Sequence, residues 1–354
     1  MMQRFVHDPL PGRVVFGAGA LDALAGEVAR LGVRRALVLS TPEQRTAAED
    51  VARRLGDRAA GVHDRAVMHV PIEVAEAARA RAKDLDADGY VAVGGGSTIG
   101  LGKAIALVSA QPVIAVPTTY AGSEMTPIWG ITQGGQKTTG RDARVLPRVV
   151  IYDPTLTLTL PPHLSGVSGM NAVAHCVEAL YAENGNPIAA LMAEEGIAAL
   201  AASLPGVVAD PANLEHRTRA LYGAWLAGSV LGAVGMALHH KLCHVLGGTL
   251  NLPHAETHTA VLPHVAAFNA AAAPEALGRV VRALGVASPA QGLFDLAVAV
   301  GANMALRDLG MRAEDIDRVA DLATANPYFN PRPVTRDALL VLLRSAWEGR
   351  RPDA

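Results

Sequence analysis

The stretch YVAVGGGS, from Tyr90 to Ser97, places a short apolar run directly before three glycines, and a helical pattern follows over Thr98–Ser109. This order of strand, glycine-rich turn and helix is typical of a phosphate site. Glycines let backbone N–H groups approach an anion closely, and the helix dipole favours negative charge there. The spacing matches neither G-x-G-x-x-G nor the P-loop. A tight turn that binds nothing is the alternative interpretation.

A second loop strengthens the nucleotide interpretation. The run Val113–Val116 predicts the next strand, and Pro117, Thr118 and Thr119 follow it. Loops after consecutive parallel strands lie at the carboxyl edge of the sheet, where ligands bind, although a hydroxyl-rich turn can also bond only to itself. The residues expected to contact the nucleotide at this edge are Gly94, Gly95, Gly96, Ser97, Thr118, Thr119 and Ser123.

The first half of the chain alternates apolar runs with helical patterns. Further strands are predicted over Arg35–Leu39, Ala59–His63 and Arg148–Tyr152, and helices over Pro42–Leu55 and Ile72–Leu85. Such alternation predicts a parallel sheet covered by helices.

Strand signals fade after Pro161 and Pro162, and long stretches rich in Ala and Leu follow. The pattern therefore predicts an α/β domain over residues 1–157 and an all-helical domain over residues 158–354. The helices predicted in the second domain are Gly166–Ala182, Ala189–Ser203, Leu214–Leu246, Pro253–Asn269, Pro274–Leu284, Gly292–Leu309 and Val334–Glu348.

Composition narrows the class of protein. With 354 residues, the chain is longer than a typical single domain. Its composition, with 50% hydrophobic and 18% charged residues, predicts a well-packed fold. A net charge of −2 argues against a nucleic-acid partner. Two cysteines, Cys176 and Cys243, cannot form a disulfide framework, so a cytoplasmic setting is expected. Residues 1–13 lack the apolar core of a secretory signal.

The uncharged segment Ala220–Leu238 is long enough to span a bilayer. A single span in mid-chain without asymmetric basic flanks is unusual. We therefore expect a helix buried inside the helical domain, and no membrane partner.

Several of the twelve histidines are grouped in the second half of the chain. His240 and His244 are four residues apart, as are His254 and His258, so each pair projects from one helix face. His175 follows Asn171 at the same spacing. Such groups bind a divalent metal in some proteins and serve as proton donors and anion sites in others.

Five motifs spread along the chain resemble the iron-containing alcohol dehydrogenases. They are Pro11–Ala20, Gly94–Ser97, Pro117–Thr119, Tyr152–Thr155 and Leu160–Pro162, and they occur in the family's order over essentially the whole length. The resemblance implies a Rossmann-like, dinucleotide-binding α/β domain followed by an all-helical domain, the architecture of dehydroquinate synthase-like proteins. It also implies a cofactor in the cleft between the domains.

In that family an aspartate and three histidines hold iron or zinc. The matching positions are Asn171, His175, His240 and His254, and the histidine thought to relay protons matches His244. Because Asn171 replaces the aspartate, the set loses a full negative charge. We therefore expect no bound metal; if one binds, His175, His240 and His254 would hold it.

The positions at which the sequence departs from the family pattern resemble one branch of the family, the maleylacetate reductases. The segments that carry this likeness are Gly96–Lys103, Pro117–Glu124, Met170–His175, His239–His244 and Pro253–His258. Those enzymes reduce the conjugated double bond of maleylacetate to give 3-oxoadipate in the degradation of aromatic compounds. The resemblance thus implies a small dicarboxylate substrate and a homodimer.

The same resemblance assigns roles to individual residues. His244 is the expected proton donor or relay, acting with His175, His240 and His254. Substrate contacts are expected from Lys241, His258, Asn171 and Tyr120, although Lys241 is equally well explained as a solvated side chain. The cofactor site would also include Ser40 and Thr41. Since Thr41 stands where NAD-selective relatives often have aspartate, both NADH and NADPH are expected to serve.

Three other functions stay open at this point. One is a metal-dependent alcohol dehydrogenase of the same family, against which Asn171 argues. Another is a metal-dependent lyase or synthase that uses NAD catalytically and shows no net oxidation of NADH. The third is a non-catalytic nucleotide sensor, which would not need titratable groups beside its ligand.

Overall fold

The computed structural model describes residues 5–7, 10, 12–134, 136–326 and 328–353. The chain divides into two compact units after Leu160, and residues 5–7 group with the second unit. The sequence analysis places this boundary after residue 157 and assigns the first residues to the α/β part.

The first unit is an α/β unit, as the alternating pattern predicts. In its described part, six parallel strands form a sheet in the order β1-β8-β5-β4-β2-β3, and β6 pairs antiparallel with β7. The strands are β1 Arg13–Phe16, β2 Ala36–Leu39, β3 Ala59–His63, β4 Gly89–Gly94, β5 Val113–Pro117, β6 Ile128–Gln133, β7 Gln136–Arg141 and β8 Val149–Tyr152. The helices are α1 Leu24–Arg30, α2 Arg45–Leu55, α3 Ile72–Asp84 and α4 Gly96–Ser109.

Burial explains which strands the sequence reveals. β2, β4, β5 and β8 are buried along their whole length and consist largely of apolar residues, so their runs are conspicuous. The sequence analysis missed β1, β6 and β7. β1 is only partly buried, and β7, with the sequence QKTTGR, is largely exposed and polar.

The register of the central strands positions the two predicted nucleotide loops. β4 and β5 are neighbours, with Gly94 opposite Pro117. The Thr118 N–H donates a hydrogen bond to the Gly94 carbonyl at 3.2 Å. The glycine turn and the threonine loop therefore lie side by side at the carboxyl edge of the sheet.

The second unit is helical in its described part, as predicted. Its helices are α5 Pro162–Leu180, α6 Pro187–Ala209, α7 Leu214–Ala233, α8 Leu238–Leu250, α9 His254–Asn269, α10 Pro274–Leu284, α11 Pro289–Ala299, α12 Asp315–Thr324 and α13 Arg336–Glu348. One core joins α8, α9, α12 and α13 through residues such as Leu242, Val261 and Leu343.

The prediction of one helix over Leu214–Leu246 is wrong. The chain breaks between α7 and α8, and the two helix axes differ by 95°. Val234 is extended (φ −129°, ψ 167°), and the Gly235 N–H donates to Asn184 Oδ1 at 2.7 Å. This tertiary hydrogen bond holds the break, which helical periodicity alone does not reveal.

The prediction of one helix over Gly292–Leu309 is also wrong. α11 ends at Ala299, Gly301 is left-handed (φ 73°), and a separate 3₁₀ turn covers Leu306–Leu309. A left-handed glycine just past the last turn is a common helix stop. The sequence analysis also missed α12.

α6 is long and apolar enough to cross a membrane, and α7 with α8 passes the same test as a bent pair. Core helices of globular proteins share this length and composition. α5, α6 and α7 pack against one another, and Ala220, Leu221, Ala224 and Ala227 are buried, as expected for this segment. Cys176 and Cys243 are buried free thiols.

Candidate active site

The glycine turn forms an open helix N-terminus in the α/β unit. β4 ends at Gly94, whose positive φ of 152° suits glycine. Gly95 directly precedes α4, and it has no side chain that could cap the helix. The hydrogen bond from the Ile99 N–H to the Gly95 carbonyl is the helix's first, at 3.1 Å. The preceding N–H groups of the first turn are thus oriented to bind an anion.

The three glycines differ in what surrounds them. A Cβ on Gly94 would lie 2.5 Å from both Gln44 Oε1 and Thr98 Oγ1, and one on Gly95 would lie 2.9 Å from Thr119 Cγ2. A Cβ on Gly96 would meet nothing nearer than a methyl group at 3.9 Å. Gly94 and Gly95 therefore allow the loops to pack, whereas Gly96 faces the space that a ligand would enter.

Hydroxyl groups at this edge add ligand-binding capacity. The buried Ser40 Oγ and Thr98 Oγ1 have no hydrogen-bond partner within the part of the chain that the structure describes. Gln44 Nε2 donates to Thr118 Oγ1 at 2.7 Å. Thr41 starts the short 3₁₀ turn Pro42–Gln44. The open helix N-terminus and the unpaired hydroxyls fit a nicotinamide dinucleotide, and the sequence analysis missed Gln44 and Thr98.

A buried lysine supports the neighbouring loop. Lys103 Nζ donates to the carbonyls of Ser123 (2.5 Å), Thr126 (2.8 Å) and Ile128 (2.9 Å), and burial lowers its pKa to about 7. Ser123 Oγ lies 3.2 Å from the same nitrogen. Ser123, expected at the cofactor, thus already contacts Lys103. Tyr120, expected at the substrate, is fully buried.

The predicted histidine site lies in the helical unit, where α5 contributes Asn171, His175 and Glu178. The spacing of four and three residues places all three side chains on one face of the helix, and each is buried. Asn171 Oδ1 and His175 Nδ1 have no hydrogen-bond partner among the described residues. α5 starts at Pro162, where the missing N–H of proline costs the helix nothing.

Glu178 joins α5 to the start of α8. Its Oε1 accepts the His239 N–H at 2.7 Å, and its Oε2 accepts the His240 N–H at 3.3 Å and the His240 Nδ1 at 2.5 Å. A carboxylate is well placed at a helix N-terminus. Burial acts to raise the pKa of Glu178, but the hydrogen bond and charge of His240, together with His239 and a backbone hydrogen bond, outweigh it, and the pKa is lowered.

The imidazole rings form a close cluster across α5, α8 and α9. His239 Nε2 lies 3.0 Å from His258 Nδ1, and the His175 ring centroid lies 5.1 Å from that of His240. Burial lowers the pKa of His239 to about 3, and it lowers the pKa values of His175 and His258 well below their ordinary range. These three rings are therefore neutral near pH 7.

Two predicted site histidines lie at the exposed side of this cluster. His244 and His254 are exposed, in contrast to the buried rings. The His244 ring centroid lies 6.1 Å from that of His240, and the His254 centroid lies 4.3 Å from that of His258. The cluster thus extends from a dry interior to a solvent-accessible edge.

Lys241 is half-buried, and its Nζ lies 5.7 Å from the ring centroid of Tyr328. Burial and the Glu178 carboxylate raise the Tyr328 pKa to about 12, so the hydroxyl is protonated near neutral pH. That hydroxyl has no hydrogen-bond partner in the described ranges. The sequence analysis missed Glu178 and Tyr328, and Glu178 carries a local signal, being three residues after His175.

The residues at the family's metal positions differ from the family's donor set, because Asn171 replaces the carboxylate. Among the residues that the structure describes, the ring nitrogens that lie within 4.8 Å of one another belong to His239, His240 and His258. This trio differs from the expected His175, His240 and His254. Two of its nitrogens are already bonded to each other, and Asn171 supplies no charge. The cluster is better suited to bind an anion or move a proton.

Comparisons with known proteins agree with this architecture. A sequence model of the family described as iron-containing alcohol dehydrogenase matches residues 11–154. A second sequence model, which describes the C-terminal part of the Fe-containing alcohol dehydrogenase family, matches residues 166–347. The chain is 58% identical to a maleylacetate reductase of Sphingobium indicum over 99% of both chains. It is 60% identical to one of Burkholderia cepacia over 99% of this chain and 100% of the relative.

Solved structures show the same likeness. The crystal structure of maleylacetate reductase from Agrobacterium tumefaciens is 54% identical, with a TM-score of 0.97 over 99% of this chain and 100% of that one. The matches extend through both units and include the glycine turn and the histidine helices. The chain therefore belongs to the iron-containing alcohol dehydrogenase family.

Proposed function

We propose that the protein is an NAD(P)H-dependent oxidoreductase that reduces the conjugated double bond of maleylacetate to give 3-oxoadipate. Full-length relatives of 58% and 60% identity that carry the name maleylacetate reductase support the substrate. The observation that carries the chemistry is a buried histidine cluster with an amide, Asn171, at the family's carboxylate position. Such a site suits a conjugated ketone better than metal-bound alcohol chemistry.

The reaction determines what the histidines must do. The bound dinucleotide supplies a hydride to the alkene carbon β to the ketone. The resulting enolate spreads negative charge onto the ketone oxygen and then takes a proton at the α-carbon. In the proposed site, His240 contacts the substrate beside its ketone group and His244 donates or relays the proton. His175, His254 and His258 complete the substrate pocket.

The two substrate carboxylates require positive or hydrogen-bonding groups. Lys241 is the nearby cation, and its contact with the Tyr328 ring orients it. The Tyr328 hydroxyl can donate to the same carboxylate. We propose that these two side chains bind one carboxylate of the substrate.

The direct test of the function is turnover. Purified protein mixed with maleylacetate and NADH should oxidise one NADH for each 3-oxoadipate formed, measured by the loss of nicotinamide absorbance and by product analysis. NADPH should also serve, because Thr41 carries no charge that would repel a 2′-phosphate. NADH oxidation coupled only to aldehydes would instead indicate an alcohol dehydrogenase. A preference for NADH of about a thousandfold, or 4 kcal/mol, would contradict the proposed cofactor range.

The Gly96→Val variant tests the phosphate cradle. The apoprotein should fold, because the added Cβ meets nothing within 3.4 Å, but the side chain fills the ligand's approach. Losing hydrogen bonds to a charged group costs about 1.5–3 kcal/mol, so we expect the NADH KM to rise by about 10- to 100-fold. Gly26→Val, at an exposed helical glycine with open space around it, is the control. An unchanged KM in folded Gly96→Val would exclude this phosphate site. Gly95→Val is less informative, because its Cβ would contact Thr119 inside the protein.

Removing metal ions tests whether Asn171 and the histidines at the family's metal positions hold an ion that the reaction needs. We expect full maleylacetate reduction after exhaustive chelation and dialysis, and no stoichiometric iron or zinc by elemental analysis. The physical reason is that a neutral amide and mutually bonded imidazoles do not replace the charge of a carboxylate ligand. One metal per subunit, together with activity that is lost on chelation and restored by the ion, would contradict this prediction.

We also propose that the enzyme is a cytoplasmic homodimer with no nucleic-acid or membrane partner. The net charge of −2 and the two buried free thiols support this proposal. Light scattering of the purified protein tests the oligomeric state.

A further inference from the structure

Lys103 is a fully buried cation in the α/β unit, and the proposed reaction gives it no role. It lies on α4, seven residues after Gly96, so about two helical turns separate it from the glycine turn on the same face of the helix. A lysine is almost never fully buried unless its charge is satisfied. The place of Lys103 in the core therefore needs an explanation.

One short stretch of chain satisfies the ammonium of Lys103. Its Nζ donates to the carbonyls of Ser123, Thr126 and Ile128, and the hydroxyl oxygens of Ser123 and Thr126 lie 3.2 Å and 3.1 Å from it. A neutral amine has two N–H donors, whereas three carbonyls require the three donors of an ammonium. A nitrogen bound in this way has no lone pair with which to act as a base or a nucleophile.

A buried carboxyl of the same stretch lies near this charge. Burial lowers the pKa of Lys103, and the charge of Glu124 acts to raise it. Glu124 is itself buried, and its Oε1 accepts a hydrogen bond from the hydroxyl of Tyr152, the last residue of β8, at 2.8 Å. The stretch is thus bound to α4 through Lys103 and to the sheet through Glu124.

The loop over residues 118–127, which this ammonium binds, also lines the phosphate cradle. The Thr118 N–H donates to the Gly94 carbonyl at 3.2 Å, and a Cβ on Gly96 would lie 3.9 Å from the Ala121 methyl group. α4 therefore supplies the N–H groups at one side of the cradle, and its buried ammonium binds the loop that forms the other side.

We propose that Lys103 is a positioning residue that holds the loop over residues 118–127 in the conformation that binds the nicotinamide dinucleotide. This inference rests on the proposed function, in which the glycine turn and this loop bind the cofactor. A loop that is ordered in advance loses less conformational entropy when its ligand binds. Because an ammonium only donates, the Ser123 hydroxyl that accepts from it keeps its own hydrogen for a ligand.

The substitution Lys103→Met tests this role, because it keeps most of the side-chain length and removes the donors. We expect the Kd of NADH, measured by fluorescence titration, to rise by about 10- to 100-fold, since the cofactor must then order the loop itself. Amide hydrogen exchange in the apoprotein should become faster in residues 118–127 and stay unchanged in β4. In turnover, the NADH KM should rise, whereas kcat at saturating NADH should stay near the wild-type value.

Two further variants make the comparison sharper. Lys83→Met, at an exposed lysine in the last turn of α3, is the matched control and should change none of these readouts. Lys103→Gln keeps two N–H donors without the charge, so its NADH Kd should lie between those of the wild type and Lys103→Met.

A merely structural role predicts a different result. It would lower the unfolding temperature and speed exchange throughout the α/β unit without changing the NADH Kd, and that result in folded Lys103→Met would overturn the inference. If neither Lys103 variant folds, the wild type labelled with ¹⁵N-lysine supplies the test. NADH should shift the NMR signal of the Lys103 ammonium and slow its hydrogen exchange, and NADH that binds without either change would contradict the inference.

The proposed function fails by different observations. The binding and exchange measurements need no maleylacetate, so a wild type that binds NADH without reducing maleylacetate refutes the proposed reaction and leaves the role of Lys103 standing. A wild type that does not bind NADH refutes the proposed function as a whole.

Discussion

Replacing His244 by alanine is expected to lower kcat for maleylacetate by about two to four orders of magnitude, the range for loss of a general acid. The enolate formed by hydride addition needs a proton at its α-carbon. His244 lies one helical turn after His240, with its ring centroid 6.1 Å from that of His240, and it is exposed. It can therefore exchange protons with water, whereas burial keeps His175, His239 and His258 neutral.

The measurement is steady-state turnover together with NADPH binding by fluorescence. Binding should stay at the wild-type level, because the cradle belongs to the α/β unit. His216→Ala is the control, since that ring lies against Gly206 in α6 rather than against another histidine. A near-normal kcat for His244→Ala would remove His244 from the mechanism.

The variant His240→Asn should lower kcat for maleylacetate by about 10²-fold, because it removes the substrate-facing nitrogen of a ring that lines the proposed pocket and helps to orient the substrate. Nε2 of His240 is buried and has no hydrogen-bond partner among the described residues, so it is available to a ligand or a water in the pocket. Asparagine keeps a donor at the position of Nδ1 and removes Nε2. Alanine would leave Glu178 unpaired at this ring, and breaking a buried pair costs about 3–5 kcal/mol of stability.

Thermal unfolding separates the two effects. His240→Asn should unfold near the wild-type temperature, and His240→Ala should unfold well below it. If His240→Asn kept the wild-type kcat, His240 would have no role in the reaction. If both variants unfolded at the same temperature as the wild type, the Glu178 contact would contribute little to stability.

Much of the α/β unit could be predicted because its signals are local. Buried parallel strands such as β4 and β5 appear as uninterrupted apolar runs, and the glycine turn follows β4 directly in the sequence. The exposed hairpin of β6 and β7 could not be predicted in this way, because its polar residues lack a buried face that would impose a pattern.

The histidine site was predictable only in part. The pairs His240–His244 and His254–His258 follow from a four-residue spacing, which any helix places on one face. The same periodicity is compatible with a straight or a broken helix, so it did not reveal the 95° bend before α8. In that bend the Gly235 N–H donates to Asn184, which is 51 residues away from Gly235 in the sequence.

By itself, the sequence determined the order of an α/β part and a helical part, the glycine-rich turn at Gly94–Ser97 and the grouping of the candidate histidines, because each depends on residues close together in the chain. Only the tertiary structure decided how the histidines are arranged. The bend exposes the N–H groups at the start of α8, and Glu178, 62 residues before His240, binds them and the ring. Such a contact depends on the packing of two distant helices, and local periodicity carries no information about it.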